Sequence, residues 1–121
     1  MRPGPEVIHL GPQQAATFDF HGLRIVDYGP GQGASASVAR IEVPAGASHA
    51  EARSTRSDKY YVGLEGAVTF QVEGRAQTLQ ASELLLISKG EWFSYTNATD
   101  REARLLLVHV PPFDLGAEEF R

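Results

Sequence analysis

The chain has 121 residues, no cysteine, and a formal net charge of −4 at pH 7 from 11 basic and 15 acidic side chains. That length suits one domain, the missing thiols exclude disulfides and thiolate metal sites, and scattered charges of acidic balance (pI ≈ 5.5) argue against nucleic acid as a partner. With no charged-then-apolar leader and no apolar run of about 18 residues, a cytoplasmic protein without membrane contact is expected.

Period-two segments rich in Val, Ile, Leu, Phe and Tyr recur between Gly, Pro, Ser, Asn and Asp. They predict strands over residues 6–10, 16–20, 23–28, 34–43, 48–53, 59–63, 68–73, 76–79, 84–87, 92–96 and 103–110. Between the third and fourth, Gly29-Pro30-Gly31-Gln32-Gly33 reads as a wide loop, without the strand-to-helix context that phosphate binding needs. Asn97-Ala98-Thr99 matches a glycosylation sequon but reads as a hairpin turn. The only helical candidate is the tail after Pro112, at 115–120. Many short strands at near-regular spacing mean an all-β sandwich or barrel, not a βαβ sheet.

Two stretches resemble the motifs of the cupin family. Pro44-Ala45-Gly46-Ala47-Ser48-His49-Ala50-Glu51, followed by Asp58 through Gly66, is similar to the first motif: a Pro-Gly turn, two histidines one residue apart, and a glutamate seven residues before a turn glycine. Leu79-Gln80-Ala81-Ser82-Glu83, leading through Ile87-Ser88-Lys89-Gly90-Glu91-Trp92-Phe93 to Asn97, is similar to the second. Val108-His109-Val110-Pro111-Pro112-Phe113 looks like the strand end and Pro-Pro exit of many small cupins. The resemblance spans roughly residues 40–112. It implies a double-stranded β-helix, the cupin jelly-roll barrel, with a pocket at its open end. On this reading strands 1–39 precede a conserved-barrel core at 40–112, and 113–121 form a C-terminal tail.

The family's metal ligands carry over poorly. His49 matches the first histidine, Glu51 stands in place of the second, Lys59 in place of the glutamate, and Phe93 in place of the third histidine. A protonated lysine donates hydrogen bonds and repels a cation, so no metal or other cofactor is expected. The alternative is a residual site at His49 and Glu51, joined by His109 if that side chain faces the pocket.

Strand alternation groups the remaining candidates. If His49 points inward, so do Glu51 and Arg53; if Lys59 does, so does Tyr61, with Phe93, Tyr95 and Phe70 as an aromatic wall. A buried lysine needs an anion, and Glu51 is the natural partner. Catalytic roles then fall to His49 as base, Lys59 with Glu51 as oxyanion stabiliser, and Tyr61 or Tyr95 as proton donor; Arg53, Phe93, Tyr95 and His109 would contact substrate. The metal-free epimerases and ketoisomerases among the cupins look similar in pairing a pocket histidine with a lysine and a tyrosine. A metal-independent isomerase, epimerase, cyclase or lyase acting on a small polar or carbonyl-bearing molecule is the first expectation, and a non-catalytic sensor or carrier of a small ligand the second. Against both stand plainer readings: a structural Lys59–Glu51 ion pair, a histidine closing a hydrogen bond at the barrel mouth, and aromatics that only pack. Trp92 should face away from Phe93, onto the outer surface or a dimer contact, and pairing through an edge strand makes a homodimer the expected assembly.

Overall fold

Alternating apolar and polar side chains, cut by glycine-rich turns, become a run of short strands in the computed structural model, which describes residues 7–29 and 34–121. These are β1 (Ala16–Phe20), β2 (Leu23–Gly29), β3 (Ser37–Val43), β4 (Ser48–Ser54), β5 (Asp58–Glu65) and β6 (Ala67–Val72). They continue as β7 (Arg75–Gln80), β8 (Leu84–Ile87), β9 (Phe93–Thr96), β10 (Ala103–Val110) and β11 (Glu118–Phe120). One sheet has the order β1-β2-β3-β10-β5-β8 and the other β11-β4-β9-β6-β7. All the pairings are antiparallel. This is the expected all-β cupin jelly roll. No helix among the described residues is long and apolar enough to cross a membrane.

Four expectations need correction. Residues 7–10 form no strand, and Glu6 lies outside the described residues, as do 30–33 of the proposed loop. The fourth strand begins at Ser37 rather than at 34, and Trp92 precedes β9. The tail is not helical: a 3-10 turn at Leu115–Ala117 leads into β11, which pairs with β4. A six-residue segment containing Gly116 is too short to nucleate a helix alone, and the edge of β4 offers it backbone partners.

The core between the sheets is built from inward rows such as Leu23, Val43, Phe70, Phe93 and Leu105, all 0–1% exposed. On β5 the alternation sends Lys59, Tyr61 and Gly63 inward. Gly63 has to be glycine, because a Cβ there would lie 2.1 Å from the Gln80 carbonyl oxygen. On β4 the alternation breaks. His49 lies opposite Tyr95 and Ala52 opposite Phe93, so three steps along β4 match two along β9. That extra residue is a β-bulge, and it reverses which side chains face inward beyond it. Ala52 and Ser54 are buried, while Glu51 and Arg53 turn outward.

The loop between β9 and β10 is tied by Asn97, which is fully buried. Its Nδ2 donates to the carbonyls of Val43 (3.0 Å) and Arg101 (2.7 Å), and its Oδ1 accepts from the Thr99 amide (3.0 Å) and hydroxyl (2.6 Å). A side chain so engaged is a structural cap rather than a glycan acceptor. Asn97→Ala leaves the buried Val43 carbonyl without this donor and should cost roughly 1–3 kcal/mol, read as a lower denaturation midpoint in urea.

Candidate functional site

The sheets enclose a cavity of about 110 Å³ at the end where β11 crosses. Of the residues nominated from the sequence, His49, Lys59, Tyr61, Tyr95 and His109 line it, whereas Glu51, Arg53 and Phe93 do not. Its polar lining also includes Glu118, Asp27 and Ser37, which the sequence reading missed. Apolar side chains from both sheets, among them Phe20, Ile41 and Leu107, complete the wall.

Lys59, on β5 between β10 and the edge strand β8, is 3% exposed. Its Nζ donates to Glu118 Oε1 at 2.7 Å and to His109 Nε2 at 2.8 Å, and lies over the Phe93 ring at 5.4 Å. The anion that the buried ammonium requires is therefore Glu118 and not Glu51. Desolvation pulls the Lys59 pKa down, and the Glu118 carboxylate pulls it back up. For His109, burial first and the neighbouring ammonium second push the pKa down to about 3. His109 is thus neutral, and since Nε2 accepts from Lys59, its proton sits on Nδ1. Two of the three ammonium N–H groups are engaged, which leaves one for a ligand.

His49 enters from β4 on the opposite sheet. Its ring stacks on Phe93 (centroids 5.3 Å apart) and packs against Tyr95 (5.0 Å) and Phe20 (5.7 Å). Nδ1 lies 2.6 Å from the Ala50 carbonyl. A carbonyl only accepts, so Nδ1 carries the proton and Nε2 a free lone pair. Burial lowers the His49 pKa, the Ala50 bond opposes this, and Lys59 adds to the lowering. The ring is therefore neutral at pH 7. Both phenols are pushed up by burial, Tyr61 strongly. Among the described residues the buried Tyr95 hydroxyl has no hydrogen-bond partner.

The bulge explains where the other candidates went. Glu51 pairs with Arg121 (2.6 Å) and Arg53 with Glu119 (2.6 Å), both outside the barrel. The two guanidinium groups lie on the Trp92 ring at 4.1 and 4.7 Å, so Trp92 does face outward as expected. Phe93 sits behind the cavity as packing between His49 and Lys59.

These residues do not fit a cupin metal. Lys59 places a cation where the glutamate ligand should stand, Phe93 has no donor atom, and the bulge removes Glu51. His109 already accepts from Lys59, which dismantles the residual site at His49, Glu51 and His109. Among the described residues no three His, Asp or Glu side chains are arranged to hold a metal ion.

Residues 39–109 match the cupin domain family. No curated protein matches the chain in sequence. Among solved structures, Streptomyces PAC13 carrying a histidine-to-glutamine change, with uridine, is similar at a TM-score of 0.84 and 22% identity, covering 96% of this chain and 92% of that one. Two further PAC13 forms with uridine, each with a tyrosine changed to phenylalanine, reach 0.83 at 20% identity over 97% and 92%. Pac13 itself is described as a unique nucleoside dehydratase (0.83, 22%, 96% and 92%). KdgF from Halomonas sp. is similar at 0.78 and 12% over 90% and 97%. At such identities the likeness concerns the fold.

The depressed histidines link stability to pH. Above about pH 6.5 each is neutral in both folded and unfolded chains; below it the unfolded chain takes up protons that folded His109 and His49 refuse, so stability falls with falling pH. Between pH 6.5 and 5 the loss for His109 should approach about 1.4 kcal/mol per pH unit. Urea titrations should show this slope, and it should flatten in His109→Gln, which cannot take the proton.

Proposed function

The chain belongs to the cupin family, and on that footing we propose that it is a metal-independent lyase that removes water from a small, carbonyl-bearing, nucleoside-like substrate. The observation that carries this reading is the tautomer of His49: Nδ1 is committed to Ala50, which leaves Nε2 as an unprotonated base in a cavity shared with the Lys59 ammonium. A carbonyl makes the neighbouring C–H acidic. His49 Nε2 takes that proton, the free Lys59 N–H stabilises the enolate oxygen, and the electron pair then expels a hydroxyl from the next carbon. The departing oxygen receives the proton from the His49 imidazolium, so water leaves, a C=C bond forms and the base is regenerated. Tyr61 and Tyr95 are held too firmly protonated by burial to exchange protons; they serve as neutral donors that orient substrate oxygens.

Resemblance to a nucleoside dehydratase supports this choice among the isomerase, cyclase and lyase reactions. So does the cavity's content of two histidines and two tyrosines, the residue types changed in the uridine-bound PAC13 forms. A second reading, a binding protein without turnover, is favoured by the small, largely aromatic and aliphatic cavity.

For assembly we propose a homodimer through the outer face of the six-stranded sheet. There Leu84 and Leu86 of the terminal strand β8 are 61% and 46% exposed and stand beside Val62 and Tyr60 of β5, which in turn stand beside Leu106 and Val108 of β10. An open edge next to an apolar face is the kind of surface a second copy covers.

Uridine should bind in a calorimetric titration. Nucleosides carrying a sugar carbonyl should lose one water by mass spectrometry, and a chelator should leave the rate unchanged. His49→Ala should lower kcat by about 10²-fold or more, and Lys59→Met should lower kcat more than it raises KM. Binding without water loss from any such nucleoside would establish the carrier reading instead. In sedimentation the wild type should run as a dimer and Leu86→Glu as a monomer.

A further inference from the structure

The segment 114–121 is the wall between the cavity and solvent on the β4 side. Leu115, Glu118 and Phe120 line the cavity, and the Phe120 ring lies 6.2 Å from Phe20 and 6.5 Å from His49. Only three residues of the segment pair with β4. The other ties are the Arg121 amide to the Glu51 carbonyl (3.1 Å), the Thr55 amide and hydroxyl to the Ala117 carbonyl (2.8 and 3.1 Å), the buried Lys59–Glu118 pair (2.7 Å), and three ion pairs at the surface: Arg56–Asp114, Arg53–Glu119 and Arg121–Glu51. Exposed pairs of this kind contribute about 0–1 kcal/mol each and weaken with salt. Of the remaining walls, the edge strand β1 (Phe18, Phe20) is paired with β2 along its whole length, the loop residue Phe113 is held by its amide to Ser37 Oγ (2.8 Å), and the others are strands with neighbours on both sides.

We propose that this segment is a moving wall, which swings off β4 to admit substrate and on closing returns Glu118 to Lys59, so that Glu118 is the positioning residue of the site lysine. The lysine's part in the reaction and the size of the substrate rest on the function proposed above; the test of the movement does not. About 110 Å³ is well below the roughly 300–1,000 Å³ of ligand pockets, so holding a nucleoside-sized molecule requires the cavity to widen. Among the strands that line it, β11 has the fewest paired residues, three on one side, and apart from the Glu118 contact most of its other ties lie at the surface. The groups that face Lys59 across the cavity are His109 from β10, His49 from β4, Asp27 from β2, and the phenols Tyr61 and Tyr95. Both histidines are neutral, and Asp27 is engaged with the Gly29 amide (3.0 Å). Glu118 is the one carboxylate among the described residues that touches the ammonium. When the wall opens, Lys59 loses that partner; when it closes, the ammonium is fixed between Glu118 and His109 and aims its remaining N–H.

The chain holds only two lysines, Lys59 and the exposed Lys89, which makes the movement measurable without a substrate. Trace labelling with acetic anhydride, read peptide by peptide by mass spectrometry, should find Lys59 far slower than Lys89 in the wild type. Raising salt from about 0.05 to about 1 M, where the screening length falls to ~3 Å, should speed Lys59 and leave Lys89 unchanged. Loosening the outer ties with Arg53→Gln plus Arg121→Gln should speed it by ~10-fold or more at low salt. In Glu118→Gln the wall keeps its shape but loses its charge, and the pH midpoint of Lys59 labelling should fall by about one unit, a tenfold rise in labelling below the midpoint. Lys59 labelled as fast as Lys89 in the wild type, or indifferent to both salt and the outer ties, would overturn the moving wall. An unshifted midpoint in Glu118→Gln would overturn the positioning role. If labelling follows these expectations while no nucleoside loses water, the proposed reaction falls and the moving wall stands.

Discussion

The structure turns on one buried ammonium. Lys59 sits on the inward face of β5, where its desolvation would be prohibitive without an anion and further acceptors. Glu118 and the neutral ring of His109 supply them at 2.7 and 2.8 Å. Because Glu118 belongs to the last strand, the charge requirement in the barrel interior also seats the C-terminus on β4 and closes the cavity. The same ammonium helps to keep His109 and His49 unprotonated. Electrostatic state, closure and the path of the chain's final residues are therefore one problem with one solution.

That arrangement changes what a cupin interior offers. Where the family motif places a carboxylate that would hold a metal, this chain places a cation of its own. The cavity keeps a positive centre, but as a hydrogen-bond donor on a flexible stem rather than a Lewis acid with open coordination positions. Such a centre suits an oxyanion that forms briefly beside a base. In the proposed reaction the base comes from the opposite sheet, where aromatic rings pack around His49 and a backbone carbonyl selects its tautomer.

The outer surface of β4 mirrors the inner one. The bulge that removes Glu51 and Arg53 from the cavity delivers them to the exterior, where they meet Arg121 and Glu119 around Trp92. One inserted residue thus separates the interior, which holds the one buried ion pair among the described residues, from an exterior clasp of exposed ones. The inner pair attracts through a low dielectric, which offsets the desolvation of its charges, whereas the outer pairs are screened by water.

Much was legible from the amino-acid sequence. Period-two alternation located most of the strands, the Pro-Gly and Gly turns marked the cupin motifs, and alternation along β5 correctly put Lys59 and Tyr61 on one inward face. The need of a buried lysine for an anion was also foreseeable, because desolvation does not depend on the fold. The identity of that anion was not. Glu51, eight residues away in the sequence, is excluded by a bulge that no local pattern announces, since the extra residue is defined only by pairing with β9. Glu118 lies 59 residues beyond Lys59 in a segment whose composition fits a helical turn as well as a strand, and it becomes a strand because the β4 edge accepts it. Alternation is a property of one strand and can be read along the chain; register and edge pairing are properties of two strands, and only the folded barrel decides them.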